Sequence, residues 1–256
     1  MEINDTHSHI YLEDFAGDRN EMLKRAETEG VTKILMPAID STTHEQTIEV
    51  SYLYPGKCFA MMGLHPCSVK INFKEELDLV KKYLDQQKFI AVGETGLDFY
   101  WDKTFTNEQF ESFNQQIEWA LEYNLPIVIH SRNSIDECIE VVRRQQRGKL
   151  KGVFHCFSGS IEQAREIIEL GFYLGIGGVV TYKNSGLDKV VEQIDMKHIL
   201  LETDAPYLSP VPFRGKRNEC SYIKYVAEKI AAIKKISVED VATITTANAE
   251  MLFGKL

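Results

Sequence analysis

The sequence predicts one domain, residues 1–256, folded as an α/β protein of the (β/α)8 or TIM-barrel class. The length of 256 residues matches the ~250 residues that are typical of this fold. Short apolar segments alternate with longer amphipathic segments from one end of the chain to the other. Strict alternation of strands and helices is typical of a parallel sheet, and eight such units in this length favour a closed barrel over an open sheet.

Each strand is predicted from a short apolar run, and each helix from apolar residues that recur every three or four positions. In the longest helix, Phe110, Phe113 and Ile117 fall on one face, and Gly30 marks the end of the first helix. The predicted strands cover residues 3–7, 33–38, 58–64, 89–94, 127–130, 152–155, 172–176 and 198–202. The predicted helices cover residues 18–29, 42–54, 74–85, 107–123, 134–146, 161–170, 219–234 and 238–246.

Composition and charge limit the possible function classes. Apolar residues make up 44% of the chain and charged residues 26%, which is ordinary for a globular protein. The formal net charge of −9 argues against a protein that coats nucleic acid nonspecifically, which would need a broadly basic surface. The charge remains compatible with a nuclease whose positive charge is confined to a pocket and supplied partly by metal ions.

The five cysteines indicate a reducing compartment. None forms a Cys-x-x-Cys pair and their number is odd, so we expect reduced thiols and a cytoplasmic location. The first residues lack the basic and apolar regions of a signal peptide, and no stretch approaches the ~20 apolar residues of a membrane span. We therefore expect no membrane association, no obligate protein partner and a monomer.

Six residues of the types that bind metal ions lie where predicted strands end. A strand sends alternate side chains to one face, so the two histidines of a His-x-His pair point the same way. In a barrel, the carboxyl ends of the strands form the mouth where catalysis occurs. A single histidine at a strand end is usually only a polar residue, but four of the seven histidines share this placement. The candidate ligands are His7, His9, Glu94, His130, His155 and Asp204.

These residues predict a centre of two divalent metal ions. Imidazole nitrogen together with carboxylate oxygen suits Zn²⁺ or Mn²⁺, and Mg²⁺ less well, so the identity of the metal stays open. Six ligands exceed what one tetrahedral zinc needs, so we expect two ions about 3.5–4 Å apart, bridged by Glu94. Asp204 is placed to take a proton from the attacking water. Glu94 and Asp204 are therefore the predicted catalytic residues.

Three further residues are predicted to serve the substrate. His65 follows the strand at residues 58–64 and is expected to contact a phosphate without being a metal ligand. Arg132 shares the direction of the histidine two positions earlier, and its guanidinium suits bidentate phosphate binding, although a surface salt bridge is an equal alternative. Glu202 is expected to orient a histidine or a water.

Seven short motifs resemble those of the TatD family of metal-dependent deoxyribonucleases, within the amidohydrolase-type barrel superfamily. They occur in this order along nearly the whole chain: DTHSH at 5–9, GLHP at 63–66, GETGLDFY at 93–100, IHSR at 129–132, HCFSGS at 155–160, LETDAPYL at 201–208 and RGKRN at 214–218. Each motif is weak alone, but the ordered set is specific. Ser8 and Cys220 stand where the family often has Cys and usually has Pro, and neither position is a ligand.

The resemblance implies a divalent-metal hydrolase that cleaves DNA, as a 3′-to-5′ exonuclease that prefers single strands. It assigns metal ligation to the same six residues that were selected above. One alternative is a hydrolase of the same superfamily with another substrate, such as an amide, a lactone, a phosphotriester or a D-aminoacyl-tRNA. The presence of Glu94, rather than a lysine that could be carbamylated, favours the nuclease. A second alternative is a non-catalytic scaffold, which would have no reason to keep four converging histidines.

Overall fold

The structure, a computed structural model, describes residues 2–86 and 88–255. Within these residues, eight strands alternate with helices, and all the strand pairs are parallel. The strands are β1 (Ile3–Asp5), β2 (Val31–Pro37), β3 (Cys58–Met61), β4 (Val92–Asp98), β5 (Ile127–Arg132), β6 (Gly152–Phe154), β7 (Tyr173–Ile176) and β8 (Ile199–Leu201). This arrangement confirms the predicted (β/α)8 barrel.

Two arcs of strands form the barrel wall. Strands β1 to β3 pair in one arc, and strands β4 to β8 pair in sequence in the other. A parallel bridge between Met62 and Val92 joins the arcs at one seam, and a bridge between Ser8 and Ala205 joins them at the other. The wall is therefore closed, and the chain segments that follow the strands meet at one mouth.

The helices surround the wall much as the sequence predicts. They are α1 (Arg19–Thr28), α2 (His44–Leu53), α3 (Phe73–Gln86), α4 (Thr106–Glu122), α5 (Ile135–Gln145), α6 (Ile161–Glu169), α7 (Leu187–Gln193), α8 (Ile223–Lys234) and α9 (Val238–Phe253). Helix α7 was not predicted, because seven residues are too short to repeat an apolar pattern. Helix α8 begins later than predicted, since a 3-10 turn occupies Cys220–Tyr222. None of the helices in the described part of the chain has the length and apolarity of a membrane span.

Two strand boundaries differ from the prediction in a way that matters for function. Strand β4 continues past Glu94 to Asp98, and β5 continues past His130 to Arg132. The prediction that Glu94 and His130 end their strands is therefore wrong; both lie inside the wall. The pairing continues because Gly96 has no side chain: a Cβ there would collide with the carbonyl oxygen of His130.

The opposite end of the barrel is covered by the last helix. Asn248 in α9 donates hydrogen bonds to the carbonyl oxygens of Met196 and Ile199, at the amino end of β8. Leu252 of the same helix packs into a buried apolar cluster with strand residues such as Leu35. Helix α9 therefore closes the amino end of the wall, and the carboxyl end stays open for a site.

Candidate metal centre

Glu94 lies at the centre of a group of imidazoles, and its side chain is almost fully buried. Its Oε2 atom lies 3.2 Å from His7 Nε2 and 3.8 Å from His9 Nε2. Its Oε1 atom faces the other way, 2.8 Å from His130 Nδ1 and 3.4 Å from His155 Nε2. The two carboxylate oxygens thus face two different groups of nitrogens, as in a carboxylate that bridges two cations.

Asp204 completes the cluster on the side of the His-x-His pair. Its Oδ1 atom lies 3.5 Å from His9 Nε2 and 3.8 Å from His7 Nε2. The structure therefore brings all six predicted ligands together. Their potential ligand atoms, with those of His65, form three overlapping triads whose members lie within 4.8 Å of one another: His7, His155 and Asp204; His7, His9 and Glu94; and His65, Glu94 and His130.

Hydrogen bonds fix which nitrogen of His9 faces the centre. The Tyr11 hydroxyl donates to the carbonyl oxygen of Pro37 at 2.7 Å, so its oxygen can only accept from His9 Nδ1, 2.8 Å away. Nδ1 therefore carries a proton, so a lone pair can lie only on Nε2. That lone pair points into a space shared with His7 Nε2, 3.3 Å away. Sequence reasoning missed Tyr11, although a tyrosine two residues after the His-x-His pair is a usable signal.

The donor set fits divalent cations. His7 Nδ1 is buried without a hydrogen-bond partner among the described residues. Burial, helped by the adjacent His155, lowers the pKa of His7, so its ring is neutral and able to donate a lone pair. The carboxylates of Glu94 and Asp204 are also buried. Buried carboxylates need compensating positive charge, and a mixed set of imidazole and carboxylate donors is one that Zn²⁺ or Mn²⁺ prefers.

Glu202 supports His155 from behind. Its Oε1 atom accepts a hydrogen bond from the Cys156 amide at 2.6 Å and lies 3.1 Å from His155 Nδ1, although that second contact is not aligned as a hydrogen bond. Burial opposes protonation of His155, but the carboxylates of Glu202 and Glu94 outweigh it and raise the pKa of His155 to about 10. The carboxylates therefore favour positive charge here, and Glu202 is placed to orient the histidine rather than to reach a substrate.

Asp98 holds His130 in the same manner, and sequence reasoning gave it no role. Its Oδ2 atom lies 2.9 Å from His130 Nε2. Burial opposes protonation, but the hydrogen bonds to Asp98 and Glu94 raise the pKa of His130. A carboxylate only accepts, so Asp98 keeps a proton on Nε2. Nδ1 also faces a carboxylate, Glu94 Oε1 at 2.8 Å, and a cation bound there would take the place of the proton that the charged ring carries on Nδ1. The spacing from Glu94 to Asp98 in one strand is the signal that could have found it.

His65 differs from the four candidate ligands in its protonation. The Cys67 amide donates to His65 Nδ1 at 3.0 Å, so in the neutral ring Nε2 carries the proton. Burial lowers the pKa of His65, which keeps the ring neutral. Nε2 lies 3.4 Å from Glu94 Oε1. His65 is therefore a hydrogen-bond donor at the mouth, which suits the predicted contact with a phosphate.

The cations near the mouth are used in different ways. Arg132 is exposed and stacks on Tyr100, with its Cζ atom 3.9 Å from the ring centroid. Arg217 instead pairs with Asp18 at 2.7 Å and donates to the Asp14 carbonyl oxygen. Arg217 thus anchors its loop to the segment before α1, and it is not available to follow a nucleic-acid backbone.

Removing the Tyr11 hydroxyl tests how far the tautomer of His9 matters. Tyr11→Phe leaves His9 Nδ1–H without its acceptor, so we expect the Kd for Mn²⁺ or Zn²⁺ to rise about tenfold. Isothermal titration of chelator-treated protein measures this. Tyr182→Phe, which removes a hydroxyl bonded to the Ser209 carbonyl oxygen, is the matched control and keeps the wild-type Kd. An unchanged Kd in Tyr11→Phe would show that the ring needs no such support.

A family model described as "TatD related DNase" matches residues 4–254. The chain belongs to the TatD family. The "Uncharacterized metal-dependent hydrolase YabD" of Bacillus subtilis is 42% identical over 250 residues, which cover 97% of this chain and 98% of that relative. The "Putative deoxyribonuclease tatdn3" of Danio rerio is 33% identical over 265 aligned positions, covering 98% of this chain and 97% of that relative.

Solved structures agree with this TatD assignment. The crystal structure of the TatD homologue YjjV from Escherichia coli superposes with a TM-score of 0.93 at 30% identity, covering 98% of this chain and 97% of that one. Organophosphorus hydrolase from Deinococcus radiodurans matches with a TM-score of 0.69 at 12% identity and supports the barrel fold alone. The chain is a TatD-family protein of the metal-dependent hydrolase class.

Proposed function

We propose that this TatD-family protein is a divalent-metal-dependent deoxyribonuclease, and that it removes nucleotides from single-stranded DNA in the 3′-to-5′ direction. The observation that carries the proposal is that the two carboxylate oxygens of Glu94 face different histidines. One oxygen faces His7 and His9, and the other faces His130 and His155. A shared carboxylate between two donor groups favours a pair of ions. Such pairs are typical of enzymes that cleave phosphate esters.

Each group of the chain has a defined part in this reaction. His7, His9, Glu94 and Asp204 would hold one ion, and Glu94, His130 and His155 the other. When bound, divalent ions supply Lewis-acid stabilisation of charge on phosphoryl oxygens and make water more acidic. Asp204 is the candidate acceptor for the proton of the attacking water, because its side chain is the more accessible of the two central carboxylates.

Two donors outside the ligand set favour an anionic substrate. The Nε2–H group of His65 lies 3.4 Å from Glu94 Oε1, beside the proposed metal centre, and burial keeps that ring neutral, so it is a donor next to the place proposed for the phosphate. Arg132 adds a cation that forms no ion pair with the carboxylates of the described residues. A phosphodiester oxygen is a suitable acceptor for both. The five cysteines are unpaired, which agrees with the cytoplasmic location that we propose.

Product analysis on defined substrates tests the proposal. Chelator-treated protein is incubated with end-labelled single-stranded DNA, double-stranded DNA and D-aminoacyl-tRNA, before and after addition of Mg²⁺, Mn²⁺ or Zn²⁺. We expect metal-dependent loss of single nucleotides from the 3′ end of single-stranded DNA. Metal-dependent deacylation of the tRNA without DNA cleavage would replace the nuclease by the alternative hydrolase. No metal-dependent product from any substrate would favour a scaffold.

A further inference from the structure

We infer that Tyr100, Trp101 and Arg132 form a stacking platform that holds an unpaired nucleobase next to the metal centre. The inference rests on the proposed function and adds a binding site for the base to the site for the phosphate. Tyr100 and Trp101 follow β4 at the mouth of the barrel, and their side chains are 53% and 68% exposed. Large aromatic side chains that remain this accessible beside a polar site are typical of ligand-binding surfaces.

The three side chains are arranged as a compact stack. The rings of Tyr100 and Trp101 meet edge to face, with centroids 4.9 Å apart and planes at 84°. The guanidinium of Arg132 lies 3.9 Å from the Tyr100 centroid and 5.1 Å from the Trp101 centroid. Indole, phenol and guanidinium planes are the groups on which nucleobases stack, and such stacking tolerates any base sequence because every base has a π face.

The loop that carries the aromatic residues is held in place. Asp98 Oδ1 accepts hydrogen bonds from the amides of Tyr100 and Trp101 at 2.9 and 3.0 Å. Gln109, which is buried, donates to the carbonyl oxygens of Asp98 and Asp102. A platform that is ordered before binding loses little entropy when a ligand docks, so the stacking energy is available for affinity.

The position of the platform identifies its occupant. The same Asp98 that holds the loop also contacts His130 Nε2 at 2.9 Å through its other oxygen, so one carboxylate connects the platform to the metal centre. The phosphate would sit at the centre, and the base of an adjoining nucleotide would reach the platform. Bases in a duplex are covered by their neighbours, so this occupant must belong to a single strand or an unstacked end.

The cation in the stack is free for a ligand. In contrast to Arg217, which pairs with Asp18 at 2.7 Å, Arg132 makes no ion pair with a carboxylate in the part of the chain that the structure describes. Its positive charge therefore attracts the phosphate that accompanies the base. This combination of aromatic faces and an unpaired cation is the usual composition of single-strand binding sites, and it is compatible with a net charge of −9 because the positive charge is local.

Binding measurements with matched oligonucleotides test the platform. One probe is a fluorescein-labelled oligothymidylate with phosphorothioate linkages, and the other is the same oligomer with abasic terminal nucleotides. The Kd of each is measured by fluorescence anisotropy in the presence of Ca²⁺. We expect Trp101→Ala to raise the Kd for the intact oligomer about tenfold, and Trp101→Phe to restore most of the affinity. Arg132→Ala should also weaken binding, and Arg132→Lys should restore it only partly. The abasic oligomer should bind wild type about tenfold more weakly and lose nothing further in Trp101→Ala.

Steady-state kinetics separates the platform from the reaction itself. In Trp101→Ala we expect KM for single-stranded DNA to rise about tenfold with a much smaller change in kcat. Tyr52→Ala, an exposed aromatic residue on α2, is the control and keeps the wild-type Kd. DNA cleavage with an unchanged Kd in Trp101→Ala would overturn the platform alone. Base-dependent binding without cleavage would leave the platform and overturn the nuclease, and absence of both would overturn the two proposals together.

Discussion

Glu94→Gln should lower kcat for metal-dependent hydrolysis by about a thousandfold, because it removes the carboxylate whose two oxygens face the two donor groups. The substitution keeps the size of the side chain but replaces one oxygen with an amide donor. Whichever way the amide turns, it directs N–H groups at either His7 and His9 or His130 and His155. Losing charge stabilisation by a bound ion is worth several kcal/mol, and each 1.36 kcal/mol is a factor of ten in rate.

Metal stoichiometry shows whether this loss has the expected cause. Titration of chelator-treated Glu94→Gln with Mn²⁺ should reveal fewer or much weaker sites than wild type. Glu219→Gln is the control, since Glu219 is also buried and pairs with a cation, Arg25, at 2.7 Å, but lies away from the imidazoles. The control loses this ion pair, yet each folded molecule should keep wild-type kcat. Wild-type turnover by Glu94→Gln would refute the central role of this carboxylate.

Asp98→Asn should weaken the binding of one of the two ions by about 10–100-fold. Asp98 accepts on both sides: from His130 Nε2–H through Oδ2, and from the amides of Tyr100 and Trp101 through Oδ1. An asparagine has one accepting atom, so its NH2 group must face either the histidine or the loop. In the first case His130 is driven to the other tautomer, and the nitrogen toward Glu94 becomes a donor that cannot bind a cation.

Isothermal titration calorimetry can measure this effect because it gives a separate Kd for each of the two binding events. We expect one binding event to keep its wild-type Kd and the other to shift. Asp102→Asn makes the same chemical change in the same loop, where Asp102 pairs with Lys70 at 2.7 Å, and should leave both events unchanged. Two wild-type binding events in Asp98→Asn would mean that Asp98 shapes only the loop.

The convergence of the six candidate ligands could be predicted because barrel topology brings strand ends together regardless of packing detail. The His-x-His parity of His7 and His9, and the convergence of His155 and Asp204, follow from strand geometry and chain order alone. The position of Glu94 and His130 inside their strands, rather than at the strand ends, could not be predicted, since it depends on how far β4 and β5 remain paired. That pairing depends on the close approach at Gly96, which an apolar pattern does not reveal.

The role of Glu202 behind a histidine could be predicted, but the protonated nitrogen of each histidine could not. Which ring nitrogen of His9, His65 or His130 carries the proton is decided by a hydroxyl, an amide and a carboxylate whose directions depend on local backbone geometry. The structure is needed to distinguish His65, whose Nδ1 accepts from the Cys67 amide so that Nε2 is a donor in the neutral ring, from the four candidate ligand histidines. The same holds for the two arginines: Arg217 pairs with Asp18, whereas Arg132 forms no ion pair within the described residues.

The division of the wall into two arcs has a consequence for the metal ions. His7 and His9 follow β1 in the first arc, whereas Glu94, His130, His155 and Asp204 belong to the second. An ion held by both sets would link the two arcs. It would add to the hydrogen bond that the Asp204 amide donates to the His7 carbonyl oxygen at 2.9 Å. Ligands that bind only the folded state stabilise it in proportion to RT ln(1 + [L]/Kd). Metal binding and stabilisation of the folded barrel would thus be a single linked equilibrium.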